Sequence, residues 1–135
     1  MKVLLDASFL IYLIAPTPGM EETFAGFYRD LMKEYEVYTD VLALDEAIFI
    51  SKKKYKISYK KSIDFIDRYV LPYVNVLPIG MKEYLLARRN ILKYGLKPSD
   101  AIHLAVMESH GLQSIVTEDE DFRNLPVNVI WLESS

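Results

Sequence analysis

The stretch KPSDAIHLAVMESHGLQSIVTEDEDF, residues 97–122, places a helix, a strand and an acidic segment in direct succession. Residues 100–110 are apolar on several faces, which predicts a buried helix, and Gly111 directly after them is typical of a helix end. The run SIV at 114–116 is too short for a helix and predicts a buried strand. Four acids at 118–121 then follow at the carboxyl end of that strand.

The same alternation of strands and helices extends outward over the whole chain. Strands are predicted at 2–5, 36–39, 74–78, 114–116 and 127–132, and helices begin after residue 6 and cover 20–35, 41–53, a segment capped by Ser58, 81–94 and 100–110. Strands that alternate with helices form parallel sheets with helices on both faces. The sequence therefore predicts one α/β domain over residues 1–135, a three-layer α/β/α sandwich around a mostly parallel five-stranded sheet.

The composition narrows the kinds of function that the chain can have. A net charge of −3 argues against a protein that binds nucleic acid with its whole surface, and the lack of cysteine excludes disulfides and thiolate metal sites. Asp6 interrupts the apolar amino terminus, and the run at 9–15 is far too short to span a membrane. We expect no membrane association and a cytoplasmic location.

Acids at strand ends and helix starts are the first candidates for function, because ligands of such sheets bind at the carboxyl ends of the strands. Asp6, Glu46, Asp100 and Asp119 meet that condition. Each also has an ordinary interpretation as a turn residue, a surface acid, a residue favoured by the helix dipole or part of a hydrated loop. Within 118–121 the position relative to the strand favours Asp119, whereas Glu118 and Glu120, at alternate positions, are expected to face water.

Several carboxylates that converge from remote segments repel one another unless a cation offsets their charge. Mg²⁺ or Mn²⁺ is the expected cation, because both prefer oxygen ligands. Such an ion can activate a water molecule for attack on phosphorus, which makes phosphodiester hydrolysis the leading chemistry. His103, one helical turn after Asp100, is expected to pack or to hydrogen-bond near the site rather than to bind the metal.

Four segments together resemble the PIN domain family: LLDASFLIYL, VLALDEAIFI, KPSDAIHLAVMESHGL and IVTEDEDF. They follow the family's order and span nearly the whole chain. The resemblance implies an α/β/α metal-dependent ribonuclease, similar to the VapC toxins of toxin–antitoxin pairs.

The resemblance also implies roles for individual residues. The metal-binding and catalytic acids become Asp6, Glu46, Asp100 and Asp119, with Asp121 as an occasional helper, and Ser8 and Thr117 match the small polar residues that orient acids or water. Asp45, directly before Glu46, remains an alternative ligand.

Basic residues and partners complete the prediction. Lys52, Lys53, Arg88 and Arg123 are candidates for contact with the RNA backbone, since phosphate contacts supply much of the affinity for nucleic acids, although solvated helix faces explain most basic residues. The resemblance implies RNA as substrate, a cognate antitoxin as a possible partner and a homodimer.

Other functions fit the residues less well. A phosphoacceptor receiver domain needs an acid after the third strand, and VNVLPIG at 74–80 has none. A phosphatase with an aspartate nucleophile typically has a second Asp two residues after the first, where Ser8 stands. An RNA-processing PIN nuclease without an antitoxin and a non-catalytic module that binds a metal or a partner stay open as alternatives.

Overall fold

The computed structural model describes residues 1–132 and contains one five-stranded parallel sheet in the order β3-β2-β1-β4-β5. The strands are β1 (Lys2–Leu5), β2 (Glu36–Asp40), β3 (Asn75–Leu77), β4 (Ser114–Val116) and β5 (Asn128–Ile130). Each neighbouring pair is parallel, so all five carboxyl ends lie at the same edge. The predicted three-layer α/β/α fold with five strands is confirmed.

Six α-helices and a 3₁₀ helix connect the strands. They are α1 (Ala7–Ile14), α2 (Glu21–Glu34), α3 (Val41–Tyr55), α4 (Tyr59–Tyr69), α5 (Met81–Tyr94), α6 (Pro98–His110) and the 3₁₀ helix Glu120–Asn124. None of the helices within residues 1–132 is both long enough and apolar enough to cross a membrane.

The alternation of side chains along β1 divides the core into two layers. Val3 and Leu5 pack among the residues of α1 to α4, whereas Leu4 faces the opposite side and packs with α5, α6 and the 3₁₀ helix. Val3, Leu4 and Leu5 are fully buried, so both faces of β1 are covered and these residues form a continuous apolar run, as expected of a central parallel strand.

Local residues explain most helix ends. Ser58 accepts a hydrogen bond from the backbone N–H of Lys61 at 3.1 Å, which confirms the predicted cap of α4. Gly95 and Gly111 end α5 and α6 with positive φ angles of 68° and 69°, a conformation that favours glycine.

The structure corrects several predicted bounds. Helix α6 begins at Pro98 and not at residue 100, because proline suits the first position of a helix, where its missing N–H has no partner to lose. Lys97, and not Ser99, therefore precedes the helix. The third and fifth strands are shorter than predicted because their end residues form no ladder pairs.

Candidate active site

An acidic cleft of about 370 Å³ opens at the carboxyl edge of the sheet. It lies where β1 and β4 are neighbours, and the connection that follows β1 runs to β2 on one side, whereas the connection that follows β4 runs to β5 on the other. This is the topological switch point, where sheets of this kind bind ligands. The cleft brings together all four sequence-predicted acids: Asp6, Glu46, Asp100 and Asp119.

Asp6 is fixed by three hydrogen bonds at the point where β1 ends and α1 begins. Its Oδ1 accepts the backbone N–H of Ala7 at 2.7 Å, and its Oδ2 accepts the hydroxyl of Thr117 at 2.7 Å and that of Ser8 at 3.4 Å. The carboxylate is 7% exposed, so these donors replace most of its water. Ser8 and Thr117, which were expected to orient acids or water, thus both contact Asp6.

A buried histidine connects two segments behind Asp6. The Nδ1 of His103 lies 2.7 Å from Oδ2 of Asp40, and its Nε2 lies 3.0 Å from Oε1 of Glu46 and 3.6 Å from Oδ1 of Asp6. We call Asp6, Asp40, Glu46 and His103 the His103 group. Since both ring nitrogens face carboxylates, the ring donates on both sides and has no lone pair left for a metal.

The charge of His103 follows from its neighbours. Burial opposes the charged form, but the hydrogen bonds to Asp40 and Glu46 and the negative charges of Asp40 and Asp6 raise the pKa of His103 to about 10. The ring is therefore an imidazolium at neutral pH and offsets part of the negative charge of the cleft. This agrees with the expectation that His103 hydrogen-bonds near the site.

Sequence analysis missed Asp40, which is fully buried. It caps α3 by accepting the N–H of Ala43 at 2.9 Å, and its other oxygen pairs with His103. One feature of the sequence could have identified it: Asp40 stands between a strand and the helix that follows it, as Asp6 stands between β1 and α1.

A second set of charges lies toward the cleft mouth. The ammonium Nζ of Lys97 is 3.6 Å from Oδ2 of Asp100 and 3.5 Å from Oδ2 of Asp119. We call these three residues the Lys97 group. Oδ2 of Asp100 is buried and has no hydrogen-bond partner within the described residues.

The two acids of the Lys97 group differ in pKa. Burial and the neighbouring charge of Asp119 raise the pKa of Asp100 to about 7, although Lys97 opposes the shift. Burial also disfavours ionisation of Asp119, but the backbone N–H of Asp121, Asp100 and Lys97 together lower its pKa. Neighbouring acids with shifted pKa values are typical of functional sites.

The four acids of the segment 118–121 lie in different positions relative to the cleft. Thr117 accepts the N–H of Asp119 at 3.0 Å, which turns Asp119 into the cleft, whereas Asp121 is exposed but has an oxygen within 4.8 Å of those of Asp100 and Asp119. Glu118, expected to face water, is exposed, but it also lines the cleft and accepts the hydroxyl of Tyr12 at 3.0 Å. Glu120 pairs with Arg123 outside the cleft.

The remaining predicted positions lie away from the acids. Asp45 is exposed and does not line the cleft, unlike Glu46. Lys52 lies over the ring of Tyr59 and Lys53 over that of Phe49, and neither they, Arg88 nor Arg123 line the cleft. Their contact with RNA stays a prediction. The basic residues that do line the cleft are Lys54 and Lys97.

The residues fit a divalent metal ion. The donors are carboxylate oxygens, which suit Mg²⁺ or Mn²⁺, and two sets of three acidic or histidine residues have possible ligand atoms within 4.8 Å of one another. One set is Asp100, Asp119 and Asp121. The other is Asp6, Glu46 and His103, in which the two carboxylates are the candidate ligands because both ring nitrogens of His103 donate hydrogen bonds. The unpartnered Oδ2 of Asp100 is the clearest indication, because a buried carboxylate oxygen requires a partner.

The fold and the cleft define the class of this protein: a three-layer α/β protein with a carboxylate cluster at its switch point. The family model for the PIN domain matches residues 3–128. The chain belongs to the PIN domain family, as its sequence segments predicted.

Solved structures share the fold over almost the full length. The chain is similar to VapC20 of Mycobacterium tuberculosis, a sarcin–ricin loop cleaving toxin, with 17% identity, a TM-score of 0.73 and coverage of 90% of this chain and 92% of that one. The chain is also similar to VapBC2 of Rickettsia felis, bound to promoter DNA. The identity is 18%, the TM-score is 0.71, and the match covers 97% of this chain and 98% of that one. A toxin–antitoxin complex from Klebsiella pneumoniae matches with 22% identity, a TM-score of 0.68 and coverage of 95% of each chain. Among curated proteins no sequence matches this chain significantly.

Proposed function

We propose that this protein is a Mg²⁺- or Mn²⁺-dependent endoribonuclease and the toxin of a toxin–antitoxin pair. The observation that supports the chemistry best is the convergence of four carboxylates from remote segments on one cleft, with Oδ2 of Asp100 buried and unpartnered. Membership of the PIN family and the likeness to toxins, one of which cleaves the sarcin–ricin loop, support RNA as substrate.

The acids would hold the ion and the basic residues would hold the substrate. Asp6, Asp100 and Asp119 are the proposed ligands, with Glu46 beside them and Asp121 as a helper. A divalent ion supplies an activated water and stabilises charge on the phosphate oxygens. Asp6 is held in place by Ser8 and Thr117, so its carboxylate needs no rearrangement to receive the ion.

Two lysines at the cleft give the substrate a basic contact. Lys54 and Lys97 lie on opposite elements, α3 and the start of α6, and both line the cleft. A phosphodiester that enters between them would meet positive charge next to the acids, which is the arrangement that a polyanionic substrate of an acidic site requires. We place these two residues ahead of Lys52, Lys53, Arg88 and Arg123 as phosphate contacts.

The proposed nuclease can be tested with Asp6→Asn. The variant keeps the shape of the side chain but removes its charge, so RNA cleavage in Mn²⁺ should fall by at least roughly 100-fold, the upper end of what the loss of an outer-shell partner costs a metal site. Asp30→Asn, the same change on the exposed face of α2, is the matched control and should cleave like the wild type. Equal cleavage by wild type and Asp6→Asn would show that the activity is a contaminant.

An apolar groove offers a place for the antitoxin. A groove of about 590 Å³ runs between α1, α2 and α4, and its apolar lining includes Phe24, Met32, Phe65 and Tyr69. Solved relatives are toxin–antitoxin complexes, so an antitoxin segment with apolar side chains is the occupant that we propose.

The groove proposal has a direct test. Met32→Glu places a charge in the groove and should abolish co-purification with a small protein encoded beside this one, while Met81→Glu, on the exposed face of α5, should not. Loss of binding in both variants, or in neither, would exclude the groove as the docking site.

The alternatives give different results in these experiments. A PIN nuclease without an antitoxin would cleave RNA but have no partner encoded next to it, and a non-catalytic module would bind Mn²⁺ without cleaving RNA. The homodimer and the cytoplasmic location stay predictions; exposed apolar residues on α5 such as Tyr84, Leu85 and Leu92 offer a surface for a second copy.

A further inference from the structure

The Lys97 group contains one cation that faces two acidic side chains. The single positive charge of Lys97 faces two carboxylates, and the oxygens that it faces are Oδ2 of Asp100 and Oδ2 of Asp119. Both of these residues are also among those whose ligand atoms lie within 4.8 Å of one another. The ammonium of Lys97 therefore lies beside the same two acids that are candidate ligands of a divalent ion.

The contacts of Lys97 are loose. Its distances of 3.6 and 3.5 Å exceed the 2.7–3.2 Å typical of an N–H···O hydrogen bond. Oδ2 of Asp100 consequently stays without a hydrogen bond although it is buried. The ammonium thus neutralises charge without satisfying the buried oxygen.

Lys97 can also leave the site at little cost. Its side chain is 64% exposed, whereas that of Asp100 is 7% exposed. Its backbone is fixed at the start of α6, directly before Pro98, so the side chain alone has to move. A lysine side chain has four rotatable bonds and a strongly hydrated ammonium, which favours exchange with water.

We propose that Lys97 is a displaceable occupant of the metal site, which holds Asp100 and Asp119 together until a divalent ion takes its place. The inference rests on the proposed metal-dependent function, and it assigns Lys97 a positioning role toward the metal ligands. It follows that Lys97 lowers the apparent affinity for the divalent ion, because the ammonium of Lys97 has to be displaced before the ion can bind Asp100 and Asp119.

Metal binding without RNA tests this inference. Mn²⁺ is titrated calorimetrically into protein stripped with EDTA, for the wild type, Lys97→Met and Lys97→Gln. Both variants remove the competing charge, so each should bind Mn²⁺ with a Kd lower by roughly fivefold or more, given the strength of charge interactions near a protein surface. Two substitutions with different polarity separate the effect of the charge from any local change of packing.

Lys93→Met is the matched control. Lys93 is exposed near the end of α5, lies over the ring of Tyr94 and does not line the cleft, so its removal changes net charge equally without touching the acids. It should leave the Kd for Mn²⁺ near that of the wild type. The inference is overturned if the wild type binds Mn²⁺ and the Lys97 variants bind it no more tightly than Lys93→Met. If the wild type itself binds no Mn²⁺, the proposed metal site fails, and the inference fails with it.

Discussion

The two halves of the cleft balance their charge in different ways. In the His103 group the cation is an imidazolium that is 1% exposed and lies within 3.0 Å of both Asp40 and Glu46. In the Lys97 group it is an ammonium that is 64% exposed and lies no closer than 3.5 Å to either acid. One cation is part of the core, and the other is held only by charge.

This difference gives the two cations different roles: His103 stabilises the fold, whereas Lys97 can leave acids that a ligand could then bind. Without the ring of His103, Asp40 would be a buried carboxylate with no charged partner. The positive charge of His103 therefore stabilises the folded state. Lys97 can leave into water, so the negative charge of Asp100 and Asp119 is available to a ligand. Under the proposed metal-dependent function, we expect a metal ion to bind first at Asp100 and Asp119, next to Asp6 and Glu46.

The largest effect should come from His103→Leu. The substitution leaves Asp40 buried and unpaired, which should destabilise the fold by about 3–5 kcal/mol in urea unfolding. The double variant Asp40→Asn with His103→Leu should recover part of that loss, because Asn keeps the cap of α3 without the charge. A single variant as stable as the wild type would mean that the His103 group does not carry buried charge.

A smaller effect should appear in the pH dependence of metal-free protein. The unfolded chain loses the proton of Asp100 near pH 3.9, whereas the folded protein keeps it to about pH 7. Between these values the folded state binds more protons, so the contribution of Asp100 to stability falls as the pH rises.

Asp100→Asn removes that contribution. Relative to the wild type, the free energy of unfolding of the variant should therefore increase progressively from pH 4 to pH 7. Above pH 7 the difference should stay constant, as measured by urea unfolding in EDTA. Two pH profiles that run parallel would show that Asp100 titrates normally and would weaken the contrast between the two groups.

The smallest effect should be that of Asp121→Asn. Asp121 is exposed, so the free energy of unfolding should change by no more than ~0.5 kcal/mol. If Asp121 only assists, the Kd for Mn²⁺ should rise far less than in Asp119→Asn, and calorimetry measures both. An equal rise in the two variants would make Asp121 a full member of the site.

The sequence predicts the fold and the four cleft acids better than it predicts their charge balance. Asp6, Asp100 and Asp119 stand next to strand ends or in the first turn of a buried helix, and those positions are visible in hydrophobic patterns. Asp40 was missed because its role depends on His103, a residue 63 positions away. A pairing over that distance leaves no periodic pattern in the chain.

Lys97 shows a second limit of the sequence. Nothing in the local sequence distinguishes Lys97 from basic residues that cover solvated faces, because its contacts depend on Asp119 as much as on Asp100, which lies one helical turn away. The bound of α6 was misplaced for a related reason: Pro98 was read as a residue before the helix, although it forms the first helical position. Local patterns identify elements, but contacts between elements decide which charges meet.

The position of β1 in the middle of the sheet has a consequence for synthesis. Asp6 emerges early from the ribosome, but the hydroxyl that holds it belongs to Thr117, and Asp119 comes later still. A nascent chain that ends before β4 has Asp6, Glu46 and Asp100 but lacks Thr117 and Asp119. Under the proposed function, the acidic site is therefore complete only after β4 and the segment behind it have been made.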